Sequence, residues 1–85
     1  MTQSELNKLF YLKLDPLPSD VDEILRLEDD LLHFCDTIED PLTADCIKLR
    51  YLSCFSYNKI ADVIGVGTCD AVRKRISRFV KGLPL

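Results

Sequence analysis

The sequence predicts a small all-α domain with a helix-turn-helix in its C-terminal half. Apolar residues recur at helical spacing along most of the chain, and prolines and glycines divide it into five helical segments. The 85 residues are 47% hydrophobic, which is enough for one modest core. We expect an acidic N-terminal segment (1–39), used for packing or dimerisation, and a C-terminal module (40–85).

The first helix is expected over residues 4–14. A serine can cap its N-terminus, and Leu6, Leu9 and Phe10 follow at helical spacing. The run LFYLKL also alternates partly, as a strand would. A single strand would have no partner in this chain, so a helix is favoured. Prolines then break the chain within residues 15–19.

The second helix can be capped by Ser19 or Asp20. Its apolar stripe is expected to consist of Val21, Ile24, Leu25, Leu31, Leu32, Cys35 and Ile38. This stripe could pack against the C-terminal module or form a dimer or partner surface, and both can hold on adjacent faces.

Two further helices carry clear start signals. Asp40 is an expected N-cap followed by Pro41 at the first helical position, and Ser56 is an expected N-cap for the next helix. Gly65 is expected to end that helix as a C-cap. The inner stripe of this fourth helix comprises Ile60, Ala61 and Ile64, with Tyr57 beside them.

The last helix (about 69–81) is expected to begin after Thr68 as N-cap and to end near Gly82 and Pro84. Its inner face comprises Val72, Ile76, Phe79 and Leu83. Its outer face comprises Asp70, Arg73, Lys74, Ser77, Arg78 and Lys81. Two short helices joined by a tight turn, the second with a basic outer face, are typical of a helix-turn-helix.

The segment IKLRYLSCFSYNKIADVIG, followed by KRISR, resembles region four of bacterial sigma factors and the small phage-encoded regulators that share this module. The resemblance covers about half of the chain. The matching positions are Arg50, Tyr51, Ser56, Tyr57, Ile60, Ala61, Gly65, Val72, Arg75, Ile76, Ser77 and Arg78.

The chain departs from the family pattern at three places. Cys54 stands where the family usually has glycine, and Lys59 stands where it usually has an acidic residue, so Lys59 cannot complete a capping box with Ser56. The turn from Gly65 to Thr68 is one residue longer than the family turn, which could rotate the last helix.

A helix-turn-helix reads base edges with the first turns of its second helix. Residues expected near the bases are Thr68, Cys69, Asp70, Arg73, Lys74 and Ser77. Arg75, Arg78 and Lys81 are expected to contact phosphates. The start of the fourth helix offers free N–H groups to a phosphate through Ser56, Tyr57, Asn58 and Lys59.

The net charge of −3 conceals a strong asymmetry. Residues 1–46 contain three Lys and Arg against twelve Asp and Glu, whereas residues 47–85 contain eight against two. A basic C-terminal half suits a polyanion, and the acidic half should face away from DNA or meet another protein. Two ordinary solvated surfaces would show the same composition.

The sequence favours no enzyme, cofactor or metal. His33, Cys35, Cys46 and Cys54 lack zinc-finger spacing, so Cys46 is expected in the core and the other cysteines as free thiols. No nucleophile motif or glycine-rich phosphate loop is present. The N-terminus has no signal-peptide pattern and no apolar run suits a membrane, so a cytoplasmic protein is expected.

These features together predict a sequence-specific transcription regulator that binds double-stranded DNA. One such module reads few base pairs, so we expect a homodimer on a repeated or palindromic site, or a second anchor on RNA polymerase. Contact with polymerase is implied by the sigma resemblance. The alternative is a protein-interaction module for polymerase or a sigma factor, with the helix-turn-helix as scaffold.

Overall fold

Five α-helices and one short 3-10 helix account for most of the structure. The computed structural model describes residues 1–65 and 67–85, so Val66, in the predicted turn, lies outside the described residues. The helices are α1 (Gln3–Leu14), α2 (Val21–Cys35), α3 (Pro41–Tyr51), α4 (Tyr57–Ile64) and α5 (Cys69–Lys81), with the 3-10 helix at Pro18–Asp20. The predicted all-α class and the number of helices are confirmed.

Helix α1 begins at a capping box that the sequence analysis missed. The Thr2 hydroxyl oxygen accepts the Glu5 N–H at 3.1 Å, and the Thr2 N–H donates to Glu5 Oε1 at 3.0 Å. The predicted serine cap is therefore wrong. The whole of Gln3–Leu14 is helical, which excludes the strand alternative, and Leu6 and Leu9 are fully buried.

Helix α2 buries only part of its predicted apolar stripe. Leu31 and Cys35 are buried as predicted, and Ile24 packs against the core. The prediction is wrong for Val21, Leu25 and Leu32, which are exposed, and it omitted Leu27, which is fully buried. The side carrying Leu27 and Leu31 is buried because α1 and α3 pack against α2. Ile38 lies beyond the helix end and is half-buried.

Asp20 stands at the predicted N-cap position of α2, but its side chain does not cap the helix. Its carboxylate instead accepts the N–H of Leu17 at 3.1 Å and so closes the preceding 3-10 turn.

Helix α3 lies at the centre of the fold, in contact with each of the other four helices. It starts as predicted, with Asp40 accepting the N–H of Leu42 at 3.3 Å and Pro41 in the first turn. Its buried side chains include Cys46, Ile47 and Tyr51. Every helix therefore shares part of its core with α3.

Helices α4 and α5 are capped as predicted. The Ser56 hydroxyl accepts the Lys59 N–H, and the Thr68 hydroxyl accepts the Ala71 N–H, each at 3.2 Å. Gly65 ends α4 with φ +73°, a left-handed conformation that glycine adopts without steric cost. The end of α5 differs, because Gly82 keeps a right-handed helical conformation at φ −78°.

Residues of the acidic segment and of the C-terminal module share one core. Its buried members are Leu6, Leu9, Leu27, Leu31, Cys35, Cys46, Ile47, Tyr51, Ile60, Val72 and Ile76. Burial raises the pKa of the Cys35 and Cys46 thiols, so both behave as small core residues. The first turn of α1 also holds the end of the chain, because the Gln3 N–H donates to the Pro84 carbonyl at 2.8 Å. This bond ties the segment that follows α5 to the start of α1.

Candidate nucleic-acid interface

The outer side of α5 carries a row of exposed cations, Lys74, Arg78 and Lys81, which we call the basic row. These residues are spaced by four and three positions, so they lie on one face of the helix. No carboxylate among the described residues forms an ion pair with any of the three. Their charges are therefore available to an outside partner.

Arg73 and Asp70 lie beside the basic row and bond to each other. Arg73 Nη2 is 3.3 Å from Asp70 Oδ1, and both side chains are at least half exposed. An exposed pair of this kind contributes little to stability and is easily exchanged for other partners. Both groups therefore remain able to contact a base edge.

Arg75 lies about 60° around α5 from Arg78, on the edge of the basic row that meets α3. It lies about 160° around the helix from Arg73, because each residue advances the helix by about 100° and the two positions differ by two. Its Nη1 donates to Asp40 Oδ2 at 2.7 Å and to the Thr43 hydroxyl oxygen at 3.2 Å. Arg75 thus joins α5 to the start of α3.

Asp40 is the acceptor on which this contact depends. The Thr43 hydroxyl donates to Asp40 Oδ2 at 2.6 Å, and this bond is the main cause that holds the Asp40 pKa below its usual value. The Leu42 N–H and the Arg75 charge lower the pKa further. The carboxylate therefore stays ionised and keeps both its cap and its ion pair.

A cleft of about 880 Å³ runs between α3 and α5. Its charged and hydroxyl lining comes from Thr68, Asp70, Lys74, Arg75, Arg78 and Thr43. The cleft brings five of the predicted contact residues to one side of the molecule. Its floor is apolar, since Cys46, Val72 and Phe79 also line it.

The predicted contacts at the start of α4 form a separate group. Ser56, Asn58 and Lys59 are exposed, whereas Tyr57 is half-buried. The Ser56 oxygen is engaged by the Lys59 N–H, which leaves its hydroxyl proton free to donate. None of these residues lines the α3–α5 cleft.

Three of the predicted DNA contacts at α5 are Thr68, Cys69 and Ser77, and they differ from the basic row in exposure or role. Thr68 is exposed and caps the helix, while Cys69 and Ser77 are half-buried. Cys69 and Ser77 therefore offer a ligand less surface than the basic row does.

The sequence analysis missed the structural role of Arg50. Its guanidinium lies 4.2 Å from the Tyr57 ring centre and 4.5 Å from the Phe10 ring centre, and it donates to the Phe55 carbonyl at 3.0 Å. Arg50 therefore links α1, α3 and the start of α4. The sequence around Arg50 gives no signal of these contacts, and Phe10 comes from a distant part of the chain.

The structure assembles no metal-binding group among residues 1–65 and 67–85. His33 is exposed, and its Nδ1 lies 2.9 Å from the Asp29 carbonyl oxygen, which raises the His33 pKa. Cys35 and Cys46 are buried in the core, and all four cysteines are free thiols. None of the described helices has the length and apolar character needed to cross a membrane.

No protein-family model, curated protein or solved structure matches this chain. The resemblance to sigma region four therefore stays a prediction. Inference of function depends on the geometry of α4 and α5 and on the charges they expose.

Proposed function

We propose that this chain is a sequence-specific DNA-binding transcription regulator, in which α4 and α5 act as a helix-turn-helix and α5 enters the major groove. The observation that carries the proposal is the basic row, Lys74, Arg78 and Lys81, exposed and free of ion pairs among the described residues. The acidic residues described on α2 make no ion pair with α5. Outside α5, the acidic residue among those described that does pair with this helix is Asp40, through Arg75.

The residues beside the basic row divide into base and phosphate contacts. Arg73 and Lys74, in the first turns of α5, suit guanine O6 and N7, and Asp70 suits the cytosine amino group. Arg78 and Lys81, further along the helix, suit phosphates. Thr68, Cys69 and Ser77 complete the base-facing set.

The start of α4 provides the second phosphate contact. Ser56, Asn58 and Lys59 are exposed there, and the free N–H groups of a helix N-terminus attract an anion. The Tyr57 ring packs against the Arg50 guanidinium and so anchors this turn to α3. In the proposal, Arg75 holds α5 against α3 and is not a primary phosphate ligand, because Asp40 and Thr43 engage its guanidinium.

A homodimer is the proposed binding unit, since a single recognition helix reads only a few base pairs. RNA polymerase is the alternative second anchor. A site with two half-sites one helical turn apart would support the dimer, and a single half-site beside a promoter would support polymerase.

A second candidate function, a protein-interaction module, is favoured by a different observation. Helix α2 exposes three large apolar side chains that the core does not use. In that case α4 and α5 would serve as a scaffold and the chain would bind DNA weakly.

Genomic footprinting of the tagged protein tests the proposal and identifies the site. The wild type is expected to protect discrete sites, and the double variant R73A/K74A to lose them while keeping its helical circular-dichroism spectrum. The matched control K8A/R26A removes two exposed cations far from α5 in the sequence, which pair with Glu23 and Asp30. Provided that its circular-dichroism spectrum shows the same helical content, it should leave the footprints in place. Unchanged footprints with R73A/K74A would contradict the proposal.

A further inference from the structure

Helix α2 exposes a straight row of apolar side chains to solvent. Val21, Leu25 and Leu32 are 50%, 59% and 47% exposed. By helical geometry the three lie within about 40° of one another around the axis. We call this set the apolar row. It is separate from Leu27, Leu31 and Cys35, which fill the core and centre about 100° further around the helix.

A row of aspartates runs beside the apolar row. Asp22, Asp29 and Asp36 are exposed and spaced by seven residues, which places them about 60° around the helix from the apolar row. No Lys or Arg among the described residues pairs with any of the three, and the one near neighbour is His33, whose Nδ1 is 3.7 Å from Asp29 Oδ2.

The other acidic residues of α2 are neutralised within the molecule. Glu23 pairs with Lys8 and Arg26, and Asp30 pairs with Arg26. Glu28, at the opposite edge of the apolar row, pairs with Lys13 at 2.8 Å. The charges left without a cation are therefore the ones that border the exposed apolar side chains on one flank.

We propose that this face of α2 binds an amphipathic, basic helix of a partner protein. Leucine-like side chains of the partner would cover the apolar row, and lysines or arginines on their flank would meet Asp22, Asp29 and Asp36. A straight row on one helix suits a second helix laid along it.

Charge disfavours an α2-to-α2 contact between two copies, and it disfavours DNA. A second copy docking through α2 would bring the same aspartates to the interface, and the only arginine of α2, Arg26, is already shared between Glu23 and Asp30. DNA is a polyanion and would be repelled. The inference does not depend on DNA binding, because the surface lies on α2 and not on α4 or α5; it deepens the second candidate function, which rests on the same exposed side chains.

The test is a titration of ¹⁵N-labelled protein, without DNA, with a synthetic helical peptide. The peptide has leucines at every third or fourth position and lysines on both flanks; a matched peptide replaces the lysines with glutamates. We expect the lysine peptide to shift amide resonances of residues 21–36 in a saturable way. The glutamate peptide should leave those resonances in place.

Variants of exposed residues assign the binding surface without disturbing the core. L25Q/L32Q should raise the dissociation constant of the lysine peptide about tenfold or more, because both anchors are lost. D22N/D29N should raise it roughly threefold to tenfold at low salt and less at high salt. V63Q replaces an apolar side chain on α4 that is 52% exposed and should have no effect.

Three outcomes would overturn the proposal. The first is equal binding of both peptides, or of neither. The second is a set of shifted resonances that lies outside α2. The third is a dimer in analytical ultracentrifugation that L25Q/L32Q dissociates, since a second copy would then be the occupant.

Discussion

Arg75 Nη1 lies 2.7 Å from Asp40 Oδ2, and this contact joins α5 to the start of α3 across 35 residues of sequence. Asp40 also caps α3 and accepts the Thr43 hydroxyl. One carboxylate therefore caps α3 and also forms an ion pair with α5, in which both side chains are partly exposed. The charge that Arg75 would contribute to a DNA surface is partly neutralised by it.

Replacing Asp40 should separate its two tasks. D40A removes both the cap and the ion pair, so we expect a lower urea midpoint than wild type. D40N keeps a good N-cap residue but removes the charge, so it should lose less stability and leave Arg75 free. DNA binding by D40N is then expected to strengthen, with a steeper dependence on salt. Equal stability of D40A and D40N would show that the cap contributes nothing.

Cys54 has φ +56°, a left-handed conformation that a side chain disfavours. Replacing it with glycine relieves this strain, so we expect C54G to raise the free energy of unfolding by about 1 kcal/mol. C54A is the matched control, because it removes the thiol but keeps Cβ, and it should stay within about 0.5 kcal/mol of wild type. Urea denaturation measures both. C54G less stable than C54A would contradict the argument.

Leu25 and Leu27 test which face of α2 is buried. Leu27 is fully buried and Leu25 is 59% exposed. L27A should reduce the free energy of unfolding by about 2–5 kcal/mol through lost burial and a cavity, and L25A should change it by about 0.5 kcal/mol or less. A similar cost for both substitutions would mean that the α2 face is assigned wrongly.

Glu23 makes stability depend on acidic pH. Hydrogen bonds from Arg26 and Lys8 lower its pKa from 4.5 to about 2. Because the folded state holds the proton less tightly than the unfolded chain, the stabilisation is complete above pH 4.5 and is lost as the pH falls toward about 2. E23Q should therefore flatten the decline of the urea midpoint across this window. Parallel pH profiles of E23Q and wild type would rule out this contribution.

The helices and several of their ends follow from local chemistry. Asp40, Ser56 and Thr68 were predicted as caps because each bonds an N–H two or three residues away, a distance that the sequence fixes. Gly65 was predicted as the C-cap of α4 because glycine adopts the left-handed conformation that ends many helices. The cap of α1 was missed because Thr2, followed by Glu5, is the better capping box.

The errors concern contacts between distant parts of the chain. Leu27 lies between Arg26 and Glu28, and α2 carries two apolar rows, so periodicity alone could not decide which one α1 and α3 bury. The contacts of Lys13 with Glu28 and with the Leu52 carbonyl at the end of α3 also join distant parts of the chain.

The sequence predicts which cations the candidate site contains, but not the partners that hold Arg75 and Arg50. The exposed basic row follows from helical spacing, which the sequence shows directly. The position of Arg75 depends on its distance from Asp40, and that of Arg50 on Phe10 and Tyr57. These partners are set by tertiary contacts that no local pattern encodes.

The most direct test of the central claim is the salt dependence of binding to duplex DNA, measured by fluorescence anisotropy on the footprinted site. The wild type should bind more weakly as salt rises, and R78A/K81A should reduce the log–log slope by about 1.8, because each phosphate contact contributes about 0.9. The control K8A/R26A should retain the wild-type slope. Equal slopes and affinities for R78A/K81A and wild type, or no saturable binding at low salt, would contradict DNA recognition by α5.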